Sequence, residues 1–145
     1  MIVFLDTSSL IKLYHREAGT EQLESLFSSG GITSIFLSEI STIEFPAAVW
    51  KKVRTKEIAA TAANITIDLF MQDFNHFMFI NTDSLIIAHA GRLVSKYGLE
   101  GLRTLDNIQL ATAVSLKKQV DVFFTSDNLL QSFFIAEGLP IHIKA

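Results

Sequence analysis

Short apolar runs alternate along this chain with longer segments whose apolar residues recur at helical spacing. The short runs predict strands over residues 2–6, 32–37, 77–80 and 121–125, and a last short strand over 140–143. The longer segments predict helices over residues 7–14, 17–27, 38–54, 56–73, 84–97, 104–118 and 126–137. Apolar strands that alternate with helices favour a parallel sheet covered on both faces. The predicted fold class is therefore α/β, a three-layer α/β/α domain with a central parallel sheet.

Composition predicts one folded domain over residues 1–145. Hydrophobic residues make up 49% of the chain and 12 residues are Phe, which is enough for a substantial core. No apolar stretch reaches the roughly 18 residues of a membrane span, and no basic segment precedes the first apolar run as in a secretory signal. The chain has no Cys, which excludes disulfides and Cys-ligated zinc. We therefore expect a cytoplasmic protein with no membrane partner.

Two acidic residues directly follow predicted strands. Asp6 ends the first apolar run, and Asp127 lies just past the run at 121–125. In open α/β sheets, sites form beyond the carboxyl ends of the strands, so these two carboxylates are candidates for one site. Each also precedes a predicted helix, where an Asp can simply cap the first turn. For either residue taken alone, capping is the better interpretation.

Glu44 lies inside a predicted helix that is largely apolar. It shares a helical face with Ile40, Ile43 and Ala47, which predicts that its side chain points inward. An alternative is a capping box with Ser41, which has the S-x-x-E spacing. Because Ser38 is the better helix start, Glu44 is expected beyond the first turn, and the capping box is disfavoured.

Asp106 lies near the start of a helix that is apolar around most of its circumference, which predicts a buried helix. The helix dipole favours an ionised carboxylate at that end, and stabilising the dipole would be a sufficient role for one such residue. Arg103, one turn earlier, is a candidate contact for a phosphate or simply a partner for Asp106.

Taken together, the four acids predict a metal site. Four carboxylates converging beside buried strands would repel one another unless a cation lies between them. Carboxylate oxygens suit Mg²⁺ and Mn²⁺, which activate water and offset charge in phosphate chemistry. The predicted ligands and catalytic residues are Asp6, Glu44, Asp106 and Asp127. Three neighbouring polar residues are weaker candidates for the same site, namely Thr7, Thr125 and Asn128.

Other sequence features exclude or weaken competing chemistries. The four His residues show no metal-ligand spacing, and there is neither a phosphate-binding glycine loop nor a G-x-S-x-G elbow. Ser8 stands two residues after Asp6, so the D-x-D of aspartyl-phosphate phosphatases is missing and a covalent Asp mechanism is disfavoured.

The charge distribution gives little direct support for a nucleic-acid substrate. The formal net charge is −3, whereas nucleic-acid enzymes usually have a basic surface. If four of the 15 acidic residues bind metal, 11 are left against 12 basic residues. A basic cluster also ends one predicted helix, and a helix C-terminus explains such a cluster without any substrate. The cluster consists of Lys51, Lys52, Arg54 and Lys56.

Four segments resemble the motifs of the PIN domain, and in particular of the small VapC-type toxins of toxin–antitoxin pairs. The segments are IVFLDTSSLIKLY, SEISTIEFPAAVWK, LRTLDNIQLATA and VFFTSDNLLQSFFIAEGLPI, and together they span nearly the whole chain. The acidic residues of the four motifs match, in order, Asp6, Glu44, Asp106 and Asp127. Gln109 departs from the family pattern, since a His is frequent there. Pro46 is also unusual, and is expected to kink its helix.

The resemblance implies a metal-dependent nuclease on a Rossmann-like α/β/α fold. VapC-like members cleave RNA, pair as homodimers and are held inactive by an antitoxin whose tail enters the active-site groove. The expected function is therefore a Mg²⁺- or Mn²⁺-dependent endoribonuclease, the toxin of such a pair. Two alternatives stay open: a PIN-fold nuclease or phosphodiesterase that is not a toxin and could act on DNA, and a complex-forming protein with little activity.

A homodimer is also predicted from surplus apolar surface between residues 58 and 74. Ordinary core packing is an equally good interpretation of those side chains. The residues concerned are Ile58, Ile65, Ile67, Leu69, Phe70 and Phe74.

Overall fold

A computed structural model describes residues 1–142 of the chain and contains a sheet of four parallel strands. The strands are β1 (Ile2–Leu5), β2 (Ser34–Ser38), β3 (Met78–Ile80) and β4 (Val122–Phe124), in the spatial order β3-β2-β1-β4. The α-helices are α1 (Thr7–Leu10), α2 (Thr20–Ser28), α3 (Ser41–Arg54), α4 (Ala60–Gln72), α5 (Ser84–Lys96), α6 (Thr104–Ser115) and α7 (Asn128–Ala136). The predicted α/β class with a central parallel sheet is confirmed.

Two hydrophobic clusters form on the opposite faces of this sheet. Val3 and Leu5 of β1 pack with side chains of α3 and α4, whereas Phe4 between them packs with α5, α6 and α7. Successive side chains of a strand point to opposite faces, so the continuous apolar run of β1 serves both clusters. Helices therefore cover both faces, as the three-layer prediction requires.

The start of α3 differs from the prediction. Ser38 is fully buried as the last residue of β2, and Ile40 is the N-cap of a helix that begins at Ser41. The strand β2 thus ends one residue later than predicted, and the helix starts three residues later. Glu44 consequently lies in the first turn. The helix then continues through Pro46 to Arg54.

Several other predicted elements are shorter in the structure, and two of them change character. The helix predicted over 7–14 is α1 followed by a 3₁₀ turn at Ile11–Leu13. The last predicted strand is reduced to a single parallel bridge between Phe123 and Ile141, and residue 143 lies outside the described residues. Among the helices of residues 1–142, none combines the length and the apolar character needed to cross a membrane.

Candidate active site

The carboxyl ends of β1 and β4 bring two of the predicted residues together. The two strands are neighbours, with Leu5 opposite Phe124, and the Asp6 amide donates to the Phe124 carbonyl at 3.1 Å. Asp6 therefore follows β1 at the same edge of the sheet where Thr125 and Asp127 follow β4. This is the edge at which open α/β sheets bind their ligands.

Asp6 is a buried carboxylate held by three hydrogen-bond donors. Its side chain is only 3% exposed. Oδ1 accepts from the Ser9 amide at 2.9 Å, and Oδ2 accepts from the Thr125 hydroxyl at 2.6 Å. The Ser8 hydroxyl lies 2.8 Å from both oxygens. Burial raises the pKa of Asp6 to about 6 although these donors oppose the rise.

The capping roles considered for Asp6 and Asp127 are real. Asp6 is the N-cap of α1 through its bond to Ser9, and Asp127 is the N-cap of α7, accepting from the Leu130 amide at 2.8 Å. Capping does not remove either residue from the site, because an N-cap carboxylate accepts with one oxygen and keeps further lone pairs.

Glu44 reaches the same region from the first turn of α3. Its Oε1 accepts from the Thr7 hydroxyl at 2.9 Å and from Nε2 of Gln109 at 2.7 Å. Burial raises the pKa of Glu44, and the charge of Asp106 adds to the rise, whereas the two donors oppose it. The carboxylate is thus partly removed from water and held by neutral donors.

The argument that predicted an inward Glu44 was wrong even though the residue is half-buried. Ile43 is 72% exposed and Ala47 is also exposed, so the face they share with Glu44 is not the core face. The buried positions of α3 are Ser41, Phe45 and Val49, which recur at intervals of four. Glu44 lies beside that stripe and is drawn inward by hydrogen bonds rather than by an apolar face.

Asp106 lies in the first turn of α6, whose residues are buried along most of its length, as predicted. Its Oδ2 is 3.6 Å from Nε of Arg103. Arg103 therefore pairs with Asp106, which is the simpler of the two roles predicted for it. Burial raises the pKa of Asp106, the charge of Asp127 adds to the rise, and Arg103 opposes it. Asp106 remains partly exposed to solvent.

Mutual repulsion links the four carboxylates into one cluster. The charge of Glu44 raises the pKa of Asp6, the charge of Asp106 raises that of Glu44, and the charge of Asp127 raises that of Asp106. Asp6, Glu44 and Asp106 therefore each have another acid close enough to disfavour their ionisation.

The chemistry of these carboxylates suits a divalent ion, although the side chains do not enclose one. Within residues 1–142, no three acidic or His side chains are arranged to enclose a single ion. The four carboxylates provide the hard oxygen ligands of Mg²⁺ and Mn²⁺, which keep several waters and bind through one or two carboxylates. Because such an ion keeps several waters, it needs only one or two of these carboxylates as direct ligands.

Polar side chains around the acids were only partly anticipated. Thr7 and Thr125, named as weaker candidates, donate to Glu44 and Asp6, whereas Asn128 is exposed at the start of α7. Gln109 was noted only as a departure from the family pattern, although its amide contacts Glu44. Its sequence signal is a long polar side chain on a helix predicted to be buried.

An open groove runs from Asp127 toward the end of α3. It has a volume of about 420 Å³, and its lining includes Ser8, Lys51 and Asp127. Three residues of the basic cluster, Lys51, Lys52 and Arg54, occupy the last turn of α3, where a helix C-terminus favours positive charge, and Lys56 lies just beyond it. Lys52 is neutralised by Glu17 at 3.0 Å and Glu57 at 3.3 Å.

The sequence matches the PIN domain over residues 3–133, and the chain belongs to the PIN-domain family. Membership of this family supports a nuclease. Among curated proteins, no significantly similar sequence was found.

Solved structures of FitAcB, VapC20 and VapBC2 share the fold. FitAcB from Neisseria gonorrhoeae is 17% identical with a TM-score of 0.71, covering 96% of this chain and 95% of that one. VapC20 of Mycobacterium tuberculosis, described as a Sarcin-Ricin loop cleaving toxin, is 15% identical with a TM-score of 0.67 and covers 90% and 93%. VapBC2 from Rickettsia felis, bound to a promoter DNA fragment, is 15% identical with a TM-score of 0.64 and covers 98% of each chain.

Proposed function

We propose that this protein is a Mg²⁺- or Mn²⁺-dependent endoribonuclease and the toxin of a toxin–antitoxin pair. The observation that carries the proposal is a chain of charge repulsion among four carboxylates, in which Asp127 raises the pKa of Asp106, Asp106 that of Glu44 and Glu44 that of Asp6, at the carboxyl edge of a PIN-domain sheet. Such a cluster is destabilising unless a cation offsets the repulsion, and divalent cations serve phosphodiester hydrolysis.

Each acid has a distinct role in this proposal. Asp6 and Asp106 are the direct metal ligands, and Glu44 and Asp127 bind the ion directly or through water. A bound divalent ion lowers the pKa of a water and offsets charge on the phosphoryl oxygens. Thr125 and Ser8 hold the orientation of Asp6 by donating to its oxygens at 2.6 and 2.8 Å. Arg103 is 79% exposed at its side chain, so it can leave Asp106 and contact a phosphate.

RNA is the proposed substrate, because VapC20, which has the same fold, is described as a toxin that cleaves the Sarcin-Ricin loop. The groove beside Asp127 provides an open path for a strand and places Lys51 along it. A cationic side chain on such a path favours a phosphate backbone of either nucleic acid, so the groove alone does not select RNA.

An antitoxin is the proposed protein partner. Solved relatives of this fold are VapBC complexes, among them one from Salmonella typhimurium bound to DNA. Ile43 and Leu105 are 72% and 51% exposed, and each adjoins an acid of the site. Apolar side chains beside an acidic cleft would give an inhibitory segment an anchor next to the acids it covers.

The substrate and metal requirement can be tested together. Purified protein is incubated with a mixed RNA and a DNA of matched sequence, with Mg²⁺, with Mn²⁺ or with chelator. We expect RNA cleavage with either metal, no cleavage with chelator and intact DNA. Equal cleavage of DNA would favour the general phosphodiesterase. An absence of cleavage of either nucleic acid, by protein that is folded, would favour the complex-forming alternative.

We also infer a homodimer that uses the exposed face of α4. Phe70 is only 1% exposed and belongs to the core, but Ile65 and Leu69, one turn apart, are 61% and 46% exposed. Light scattering after size exclusion at micromolar concentration should give twice the mass of one chain. Ile65→Lys should shift the protein to a monomer, because it places a charge in an apolar contact. A wild-type monomer would contradict the dimer.

A further inference from the structure

Gln109 places a primary amide in the core of the protein, beside the acids. The side chain projects from α6, is 2% exposed and meets groups from two other helices. Its Nε2 lies 2.7 Å from Oε1 of Glu44, 3.1 Å from the Ser41 hydroxyl and 3.2 Å from the Thr7 hydroxyl. The amide therefore joins α6, α3 and the first turn of α1 at a single point.

The contact with Glu44 fixes the orientation of this amide. If its oxygen faced Glu44, two oxygens would lie 2.7 Å apart, which an ionised carboxylate does not tolerate. With the nitrogen in that position, Gln109 donates to Glu44, and its own Oε1 has no hydrogen-bond partner within residues 1–142 although it is buried. Buried polar atoms normally have partners. In this arrangement the Gln109 nitrogen is hydrogen-bonded, whereas the Gln109 oxygen is left unpaired.

Packing alone does not explain a glutamine at this position. An apolar side chain of similar length would fill the space without leaving a buried oxygen unpaired. Gln109 also differs from its helical neighbour Asn107, another buried amide, whose nitrogen donates to the Ala90 carbonyl on α5. Asn107 joins two helices of the core, whereas Gln109 donates to an acid of the site.

We infer that Gln109 is a positioning residue for Glu44, an inference that rests on the proposed metal-dependent activity. Thr7 and Gln109 both donate to Oε1, so this oxygen is held inward. Oε2 has no hydrogen-bond partner within residues 1–142 and is the oxygen available to a cation or its water. Because the amide is neutral, it orients the carboxylate without adding positive charge that would compete with a bound ion. A protonated histidine at this position would add such a charge.

The test compares two buried amides of the same helix. Gln109→Met replaces the amide by an apolar side chain of equal length, and Asn107→Leu does the same at the control position. Calorimetric titration of the free proteins with Mn²⁺ measures binding without RNA, and circular dichroism checks the fold. We expect Gln109→Met to weaken Mn²⁺ binding at least tenfold and to lower kcat for RNA with little change in KM. Asn107→Leu should lower Tm but leave Mn²⁺ affinity within twofold of wild type.

Two further variants keep the result interpretable. Gln109→His restores a ring N–H donor and should recover Mn²⁺ affinity above neutral pH, where the ring is uncharged. Gln109→Leu serves as a second apolar replacement if Gln109→Met does not fold. Wild-type Mn²⁺ affinity in folded Gln109→Met would overturn the inference while leaving the proposed function intact. If the wild type itself neither bound Mn²⁺ nor cleaved RNA, the proposed function and the inference would both fail.

Discussion

Replacing Asp6 by Asn is expected to stabilise the metal-free protein at pH 7.5 by about 2 to 3 kcal/mol. Burial raises the pKa of Asp6 from 3.8 to about 6, and each unit of pKa difference corresponds to about 1.4 kcal/mol. At neutral pH the folded chain therefore holds an ionised carboxylate in surroundings that disfavour it. Asn removes the charge and caps a helix as well as Asp does. The melting temperature should rise by roughly 4 to 10 °C, measured in chelator.

The pH dependence follows from the same difference in pKa. Between the unfolded value of 3.8 and about 6, the folded protein binds more protons at Asp6 than the unfolded chain does. Stability contributed by this group is therefore fully present below pH 3.8 and is lost as the pH rises to about 6. Glu44 and Asp106, whose pKa values are also raised, act in the same direction. This fall in stability should be smaller in Asp6→Asn than in wild type.

Asp83→Asn is the matched control for this prediction. Asp83 caps α5 by accepting from the Ile86 amide at 2.9 Å, but it is exposed and lies outside the site. Its replacement should change the melting temperature by no more than a few degrees. Saturating Mg²⁺ should raise the melting temperature of wild type and Asp83→Asn but not of Asp6→Asn. A large loss of metal-free stability in Asp6→Asn would mean that capping is the main role of Asp6.

Strand positions and the edge of the sheet were predictable from sequence because they depend on local patterns. The run from Ile2 to Leu5 is apolar at every position, which is typical of a strand buried on both faces, and β1 is such a strand. Once a parallel sheet was inferred, Asp6 and Asp127 had to lie at the same edge. The prediction that these acids share one site followed from topology and charge alone.

The inward position of Glu44 could not be derived in the same way. Helical spacing grouped it with Ile43, yet an isoleucine can remain in water, since much of any protein surface is apolar. The groups that draw Glu44 inward are Thr7 and Gln109, which lie 37 and 65 residues away along the chain. Contacts between such distant residues leave no periodic pattern in one sequence. The start of α3 was misplaced because Ser38 suits a helix cap as well as a strand end.

Replacing Asp106 by Asn is expected to lower the rate of RNA cleavage by roughly 10²- to 10³-fold, the usual effect of losing one electrostatic contact to a transition state. Asp106 has charged neighbours on two sides, since it raises the pKa of Glu44 and its own pKa is raised by Asp127. Arg103, rather than Asp106, is the N-cap residue of α6, and Asp106 is half-exposed. The fold should therefore tolerate the change, with a loss of at most about 1 kcal/mol from the helix dipole.

Glu21→Gln is a close control, because Glu21 is also a first-turn acid paired with an arginine, Arg16 at 2.8 Å, but on α2. The decisive measurement is the single-turnover rate of RNA cleavage at saturating Mn²⁺ for wild type, Asp106→Asn and Glu21→Gln, each verified as folded. If these carboxylates form a single metal-dependent nuclease centre, only Asp106→Asn should cleave RNA more slowly than wild type. A folded Asp106→Asn protein that cleaves RNA as fast as wild type would contradict the assignment of these carboxylates as the active site.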